Sequence, residues 1–179
     1  MDYLCLRKAI GKGGMDKYTK QQRRKMMASV GSRNTRIETL VRRYLWRLGF
    51  RYRLNDRRLP GSPDIVLPKY KTCIMINGCF WHGHDCGAFK MPKENSEFWT
   101  TKIERNRLRD MRVRKELEDL GFHVLTVWEC ELTKNRFEVT LRNLAIAIVG
   151  GFSGEIGVAW EEEEENANLS FAAEDDPIQ

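Results

Sequence analysis

The residues best suited to chemistry are concentrated in one segment of ten residues, 77–86. Its sulfur and imidazole groups are Cys79, His84 and Cys86, and one more cysteine, Cys130, follows a predicted strand. Three local ligands and one remote ligand of these types can complete a tetrahedral zinc site, which would also join the loop to the strand end. The alternative is a set of ordinary reduced thiols beside a surface histidine. His82 lies in the same segment and is left over for acid–base chemistry near neutral pH.

Two carboxylates elsewhere in the chain could also take part in a reaction. Asp64 follows Pro63 and opens a predicted strand, where nucleases of the restriction-endonuclease fold often carry a metal-binding aspartate, although most Pro-Asp pairs are turns. The Glu-x-Lys pair that usually completes such a site does not follow, because Ile74-Met75-Ile76 occupies its place. Asp110 interrupts the apolar stripe of a predicted helix one turn after Asn106, and a buried carboxylate needs a partner.

Adjacent large aromatic residues, Phe80 and Trp81, stand where the sequence predicts a strand end. Neighbouring side chains of a strand point to opposite faces, so both cannot pack into one core. In a basic protein they could be wedges that enter between base pairs. The alternative is two aromatic side chains that pack on either side of a loop.

Several helices and strands are predicted around these residues. Residues 35–38 have the form of a capping box and open an amphipathic helix that Gly49 closes, with an apolar stripe of Ile37, Leu40, Val41, Tyr44, Leu45 and Leu48. A hairpin of two strands, 64–67 and 73–76, precedes a long helix over about 97–120. Its inward stripe is Trp99, Ile103, Asn106, Asp110, Val113, Leu117 and Leu120.

The order of the elements indicates an α/β fold. Strand 124–128 is reached through a helical crossover and is expected to pair in parallel with an earlier strand. A last helix covers about 137–148, and a short basic helix precedes the capping box. We therefore expect a mixed central sheet flanked by helices, preceded by a flexible N-terminal extension over 1–15 and followed by an acidic, disordered tail over 151–179, with the folded domain spanning 16–150.

Net charge is distributed unevenly along the chain. The 179 residues contain 31 basic and 25 acidic side chains, but nine of the acidic ones lie in 150–179, which has no Lys or Arg. Residues 1–149 thus carry 31 basic against 16 acidic groups, a net charge of +15, which favours a polyanionic partner such as nucleic acid over a surface made basic for solubility. The tail could be an autoinhibitory DNA mimic. Five cysteines and an N-terminus without an apolar signal region predict a cytoplasmic protein without disulfides.

Four motifs together resemble the very-short-patch-repair (Vsr) DNA mismatch endonucleases over about residues 16–133. They are Leu59-Pro60-Gly61-Ser62-Pro63-Asp64, Gly78-Cys79-Phe80-Trp81-His82, Phe98-Trp99 and Val127-Trp128-Glu129-Cys130. The resemblance implies a restriction-endonuclease-like core with a structural zinc site. It also implies a nick 5′ to the thymine of a T·G mismatch.

The resemblance assigns roles to individual residues. Asp64 and the backbone carbonyl of Ile76 match the Mg²⁺ ligands, and His82 matches the catalytic histidine. Glu38 and Asp110 match acidic positions near the active site. The zinc ligands correspond to Cys79, His84, Cys86 and Cys130, and the DNA-contacting apolar residues to Phe80, Trp81, Trp99, Met27 and Val30.

One position departs from the family pattern. Asn77 stands where some members carry a second active-site histidine. Asn cannot exchange a proton near pH 7, but it can hydrogen-bond a phosphate, so its part in the reaction would be non-acidic.

Three functions follow from these observations. The first is a Mg²⁺-dependent mismatch endonuclease of DNA repair that acts as a monomer on duplex DNA, with a functional link to a cytosine-5 methylase and to mismatch-repair factors. The second is a restriction-type endonuclease that cuts intact duplex. The third is a zinc-stabilised DNA-binding module without activity.

Overall fold

The computed structural model describes Thr19, Gln21, Gln22, Lys25 and residues 34–87, 89–92 and 95–156. The N-terminal extension, Met27, Val30 and tail residues 157–179 lie outside these ranges. Among the described residues, the helices are α1 (Arg36–Arg47), α2 (Cys79–His82), α3 (Ser96–Asp119) and α4 (Phe137–Gly150). The strands are β1 (Arg53–Leu54), β2 (Ile65–Leu67), β3 (Thr72–Asn77), β4 (His123–Trp128) and β5 (Gly154–Glu155).

The five strands form one mixed sheet in the order β1-β2-β3-β4-β5. β2 and β3 are the predicted antiparallel hairpin, with Ile65 opposite Ile74. β3 and β4 pair in parallel over six residues, from Thr72 opposite His123 to Asn77 opposite Trp128. The expected α/β fold with a mixed central sheet is therefore confirmed, and the two parallel strands end side by side at Asn77 and Trp128.

Side chains of the central strands alternate between two apolar layers. On one face, Ile74 and Ile76 of β3 and Leu125 of β4 pack with buried residues of α1 and α4, such as Leu45 and Leu144. On the other face, Val66, Cys73 and Val124 pack against Val113 and Leu117 of α3. The sheet thus separates α1 and α4 from α3, and the carboxyl ends of β3 and β4 remain accessible between the layers.

Local signals in the sequence account for the ends of α1. Glu38 N–H donates to Thr35 Oγ1 (3.3 Å), and the Glu38 carboxylate accepts from the Thr35 N–H (3.4 Å), which is the predicted capping box. The helix ends beside Gly49, whose φ of +85° is a left-handed conformation. The sequence placed Leu48 in the buried stripe, and this prediction is wrong, because Leu48 is the C-cap residue and is 52% exposed.

α3 also matches its predicted span, but its inward stripe ends one turn earlier than predicted. Ile103, Val113 and Leu117 are buried, whereas Leu120 is the C-cap residue and is 58% exposed. Asn106 is partly buried on the same face of the helix as these residues. Its amide group contacts the segment that contains α2.

Two stretches fold differently from the sequence-based expectation. Phe80 and Trp81 belong to a helical turn, α2, instead of a strand end, because the chain turns at Gly78 immediately after β3. At the other end, Gly154–Glu155 pairs in parallel with β4, and Ile156 is buried in the main core. The sequence assigned residues 154–156 to the tail, but Gly154–Glu155 extends the sheet and Ile156 joins the core.

Candidate active site and metal centre

Four side chains converge at the carboxyl ends of β3 and β4. The Sγ atoms of Cys79, Cys86 and Cys130 and a ring nitrogen of His84 all lie within 4.8 Å of one another. His84 Nδ1 is 3.6 Å from Cys79 Sγ and 3.4 Å from Cys130 Sγ. Zn–S bonds of about 2.3 Å and Zn–N bonds of about 2.0 Å at a tetrahedral angle place sulfur and nitrogen about 3.6 Å apart. The four ligands therefore fit zinc.

The chain around the cluster holds its ligands in place. Cys79 is the first residue of α2, and His84 N–H donates to the Cys79 carbonyl oxygen at 3.0 Å. The His84 ring stacks on Trp128, with centroids 4.0 Å apart and planes at 4°. Cys130 lies in a 3₁₀ turn directly after β4. The cluster thus joins the α2 loop to the end of the neighbouring parallel strand.

Burial of the thiols determines what they can bind. Desolvation raises the pKa of the Cys130 thiol to about 11 and raises the pKa of the Cys79 thiol as well. Without a metal ion these thiols are protonated at neutral pH, and they would lose their protons only to a cation that compensates two buried thiolates. A zinc ion would supply that charge and bind these soft ligands strongly.

His82 is the last residue of α2 and is held by α3. Its Nδ1 makes a short hydrogen bond with Asp110 Oδ2. Burial on its own would raise the pKa of Asp110, but the hydrogen bond and charge of His82, together with Arg109, lower it overall. Because Asp110 is then a carboxylate and accepts the hydrogen bond, Nδ1 of His82 is the donor and Nε2 is the basic nitrogen.

Asp64 directly precedes β2 and lies close to β3. Its Oδ2 accepts a hydrogen bond from the Ile76 N–H at 2.7 Å. Burial raises the pKa of Asp64 to about 6, and the negative charge of Glu38 adds to this effect, while the Ile76 hydrogen bond and the positive charges of Arg42 and His82 oppose it. A desolvated carboxyl group of this kind binds either a proton or a metal cation near neutral pH.

Glu38 has a structural role as well as a place beside Asp64. It is 4% exposed, and its carboxylate accepts from the Arg42 guanidinium at 2.6 Å as well as from the capping-box backbone. Arg42 is itself 8% exposed and donates to the Asn34 side chain at 2.7 Å. The capping box predicted over residues 35–38 is therefore present with Glu38 in it, and the charges of Glu38 and Arg42 both act on Asp64.

A cavity of about 330 Å³ opens beside His82 between the sheet and α3. Asn77 and Trp128, at the ends of β3 and β4, contribute to its wall together with His82 and Asp110. Asp64 and Glu38 are not among its lining residues. The structure thus brings His82, Asp110 and Asn77 together on one side of the end of β3, with Asp64 and Glu38 on the β2 and α1 side.

The aromatic residues form a cluster of their own. Phe80 is only 7% exposed, and its ring centroid lies 5.1 Å from Trp99, 5.3 Å from Trp81 and 6.1 Å from Phe89. Trp81 and Trp99 are partly exposed. Packing across a turn, the alternative interpretation, describes Phe80 in this structure, whereas the two tryptophans present surface outward.

Three residues near the site escaped sequence reasoning. Arg42 lies four residues after Glu38, a spacing that already indicates an ion pair on a helix. Arg107 donates to backbone carbonyls at the end of α2, and Trp128 stacks on His84. The contacts of Arg107 and Trp128 cross between elements and have no sequence signal of their own.

Comparison with known proteins identifies the family. The family model described as DNA mismatch endonuclease Vsr matches residues 15–88. The chain is 43% identical over 117 residues to the DNA mismatch endonuclease Vsr of Escherichia coli (strain K12). The aligned region covers 65% of the chain and 75% of that protein. The chain belongs to the Vsr family. It is therefore a DNA endonuclease, a hydrolase of phosphodiester bonds, with a restriction-endonuclease-like fold.

Other relatives of this Vsr-family chain carry a different description. The Type II nicking enzyme V.NmeAIP of Neisseria meningitidis serogroup A is 50% identical over 121 residues, covering 68% of the chain and 86% of that protein. The Type II nicking enzyme V.XorIIP of Xanthomonas oryzae pv. oryzae is 43% identical over 130 residues, covering 72% and 96%. The family acts on DNA, which agrees with the basic body of the chain. No helix among the described residues has the length and apolar character needed to cross a membrane.

Proposed function

We propose that this protein is a Mg²⁺-dependent, strand-specific mismatch endonuclease that hydrolyses the phosphodiester 5′ to the thymine of a T·G mismatch and so initiates very short patch repair. The observation that carries the proposal is the pairing of His82 with Asp110 across the end of β3 from Asp64, a buried carboxyl group whose pKa burial raises to about 6 and whose ionised form the charge of His82 favours. At neutral pH such a group is mostly ionised at a cost in desolvation, and the cation used in metal-assisted phosphodiester hydrolysis would offset that cost.

The residues of the site divide the reaction between them. Asp64 and the carbonyl oxygen of Ile76 would hold Mg²⁺, which supplies positive charge for the phosphate oxygens and lowers the pKa of a coordinated water. His82 accepts or relays the proton of the attacking water at Nε2, while Asp110 fixes its tautomer through Nδ1. Asn77, on the cavity wall, donates a hydrogen bond to the phosphate. Glu38 and Arg42 set the local charge around Asp64.

The remaining site residues position the DNA and the catalytic loop. Zinc on Cys79, His84, Cys86 and Cys130 would hold α2, and with it His82, against the end of β4. Trp81 and Trp99, with Phe80 behind them, would enter beside the mismatch, together with Met27 and Val30 from the opposite groove. A mismatch is the base pair that costs least to unstack, so a wedge favours the lesion over intact duplex.

One comparison of substrates tests the proposal. A duplex with a single T·G mismatch and its T·A counterpart are incubated with Mg²⁺ and either wild type, Asp64→Asn or the control Asp119→Asn, which alters an exposed carboxylate at the end of α3. We expect one nick, 5′ to the mismatched thymine, with wild type and the control, and none with Asp64→Asn. Equal cutting of both duplexes would support a restriction-type endonuclease instead. Tight binding without cutting would support an inactive DNA-binding module.

The partners follow from the same proposal. An asymmetric lesion has one strand to cut, which suits a monomer. T·G mismatches arise when 5-methylcytosine deaminates, so the protein would work where a cytosine-5 methylase acts and would hand its nick to repair factors in the cytoplasm, on the nucleoid.

A further inference from the structure

Three neighbouring polar side chains of α3 form hydrogen bonds with the short helix α2 and the residue after it. Asn106 Nδ2 donates to the Trp81 carbonyl oxygen at 2.8 Å. Arg107 Nε donates to the His82 carbonyl oxygen at 3.2 Å, and its Nη2 makes a short hydrogen bond to the Gly83 carbonyl oxygen. Asp110, one turn further along, holds the His82 side chain. The backbone and the side chain of His82 are therefore fixed by the same face of one helix.

Arg107 is built into the turn that follows His82. Gly83 has a φ of +62°, and a Cβ atom there would lie 2.5 Å from Ile103 Cγ2 and 3.0 Å from Arg107 Nε. The absent side chain of Gly83 leaves space for the Arg107 guanidinium, which donates to two carbonyl groups there. Carbonyls at the end of a helix lack intrahelical partners and carry partial negative charge, and a forked cation satisfies two of them at once.

We propose that Arg107 is a positioning residue for His82. By bridging the carbonyls of His82 and Gly83 it fixes the direction of the His82 side chain toward Asp110. It also fixes the backbone between His82 and His84. The proposed catalytic residue, His82, and the proposed metal ligand, His84, therefore share one rigid turn. The inference rests on the proposed function in one respect, namely that His82 takes part in the reaction.

Such a contact affects the reaction rate through the position of the catalytic side chain. A catalytic group displaced by about 1 Å can lose about 100-fold in rate even when the altered residue is remote from the reacting atoms. In Arg107→Ala the zinc ligands still hold residues 79, 84 and 86, but the two carbonyls after Trp81 lose their donors. We therefore expect His82 to become less ordered while the metal cluster and the DNA surface remain intact.

The test compares Arg107→Ala and Arg107→Lys with Arg105→Ala, which removes another exposed arginine from the same helix. Three quantities are measured on the zinc-loaded full chain. They are the single-turnover nicking rate at saturating T·G duplex, the Kd for that duplex in Ca²⁺, and the NMR resonance of the His82 Nδ1–H that is hydrogen-bonded to Asp110. Zinc content and Tm show that each variant is folded.

For Arg107→Ala we expect the nicking rate to fall about 10- to 100-fold with Kd changed less than about threefold. The His82 Nδ1–H resonance should broaden or shift, Arg107→Lys should recover part of the rate through one remaining donor, and Arg105→Ala should match wild type in both rate and resonance. A rate loss explained by weaker DNA binding would mean that Arg107 is a phosphate contact, and it would overturn the inference. An unchanged His82 resonance would overturn it as well.

The two proposals can fail separately. If wild type does not nick the T·G duplex but its His82 resonance still depends on Arg107 and not on Arg105, the proposed function fails and the positioning role stands. If wild type nicks and Arg107→Ala is unchanged in rate and resonance, only the positioning role fails.

Discussion

Replacing Asp64 with asparagine should stabilise the protein while it abolishes cleavage. Burial holds the pKa of Asp64 at about 6 in the folded protein, against an ordinary value of 3.8. Ionising this group in the folded state therefore costs free energy that the unfolded chain does not incur. Asparagine has the same shape, and its Oδ1 can still accept the hydrogen bond from the Ile76 N–H, but it carries no charge.

The size of the effect and its pH dependence follow from these two pKa values. Each tenfold difference in proton affinity corresponds to about 1.4 kcal/mol, so the penalty reaches about 3 kcal/mol once the pH exceeds 6. Because the pKa of Asp64 is higher in the folded state, its carboxyl group lowers the free energy of unfolding of wild type very little below pH 3.8. The free energy of unfolding then falls as the pH rises through about 6 and the group ionises. The gain of Asp64→Asn over wild type should be below about 1 kcal/mol at pH 4 and about 3 kcal/mol at pH 7.5.

Urea unfolding in Mg²⁺-free buffer at pH 4 and pH 7.5 measures this difference, with Asp119→Asn as the control for an exposed carboxylate. Adding Mg²⁺ at pH 7.5 should stabilise wild type and leave Asp64→Asn unchanged, because a ligand that binds only the folded state adds to its stability. A gain that is the same at both pH values would refute the reasoning, since it could not come from ionisation of Asp64. Destabilisation at pH 7.5 would refute it too.

Four further predictions concern other parts of the structure. Cys130→Ser should lower bound zinc below one ion per chain by elemental analysis and reduce stability by several kcal/mol, because the α2 loop loses its connection to β4. Asp110→Asn should reduce the single-turnover nicking rate about 100-fold or more with little change in Kd, because the amide no longer favours the required tautomer of His82. Leu45→Ala, at a fully buried core position, should cost about 2–5 kcal/mol in urea unfolding. Gly61→Ala should cost about 1–3 kcal/mol, since φ is +67° and the new Cβ would lie 2.4 Å from Val113; a cost below 0.5 kcal/mol would mean that the turn moves freely.

Local patterns predicted most of the elements because their causes are local. The capping box of Thr35 and Glu38, Gly49 after α1, and the hairpin over β2 and β3 depend on residues a few positions apart. The errors fell where an apolar side chain sits at a helix end. Leu48 and Leu120 continue their stripes in sequence, but each is a C-cap residue at which the chain turns away from the core.

The candidate site was only partly predictable for a related reason. The cysteine and histidine residues of the candidate metal cluster were visible in the sequence, but the approach of Cys130 to His84 depends on β3 and β4 being parallel neighbours, which places two distant strand ends side by side. The helical form of residues 79–82 was missed because four residues are too few for a periodic pattern. Phe80 became a buried member of an aromatic cluster through contacts with Trp99 on another helix.

The α/β fold class, the family, the +15 body and the types of residue available for metal binding and catalysis could all be predicted from the amino-acid sequence. These properties depend on composition, on short motifs and on periodicity, which are all present in the linear chain. The environment of each carboxylate, in contrast, depends on the packing of distant elements. Asp110 became the partner of His82, with a lowered pKa, and Asp64 became a desolvated group with a raised pKa, because burial and neighbouring charge arise only when α1, β2, α2 and α3 pack together.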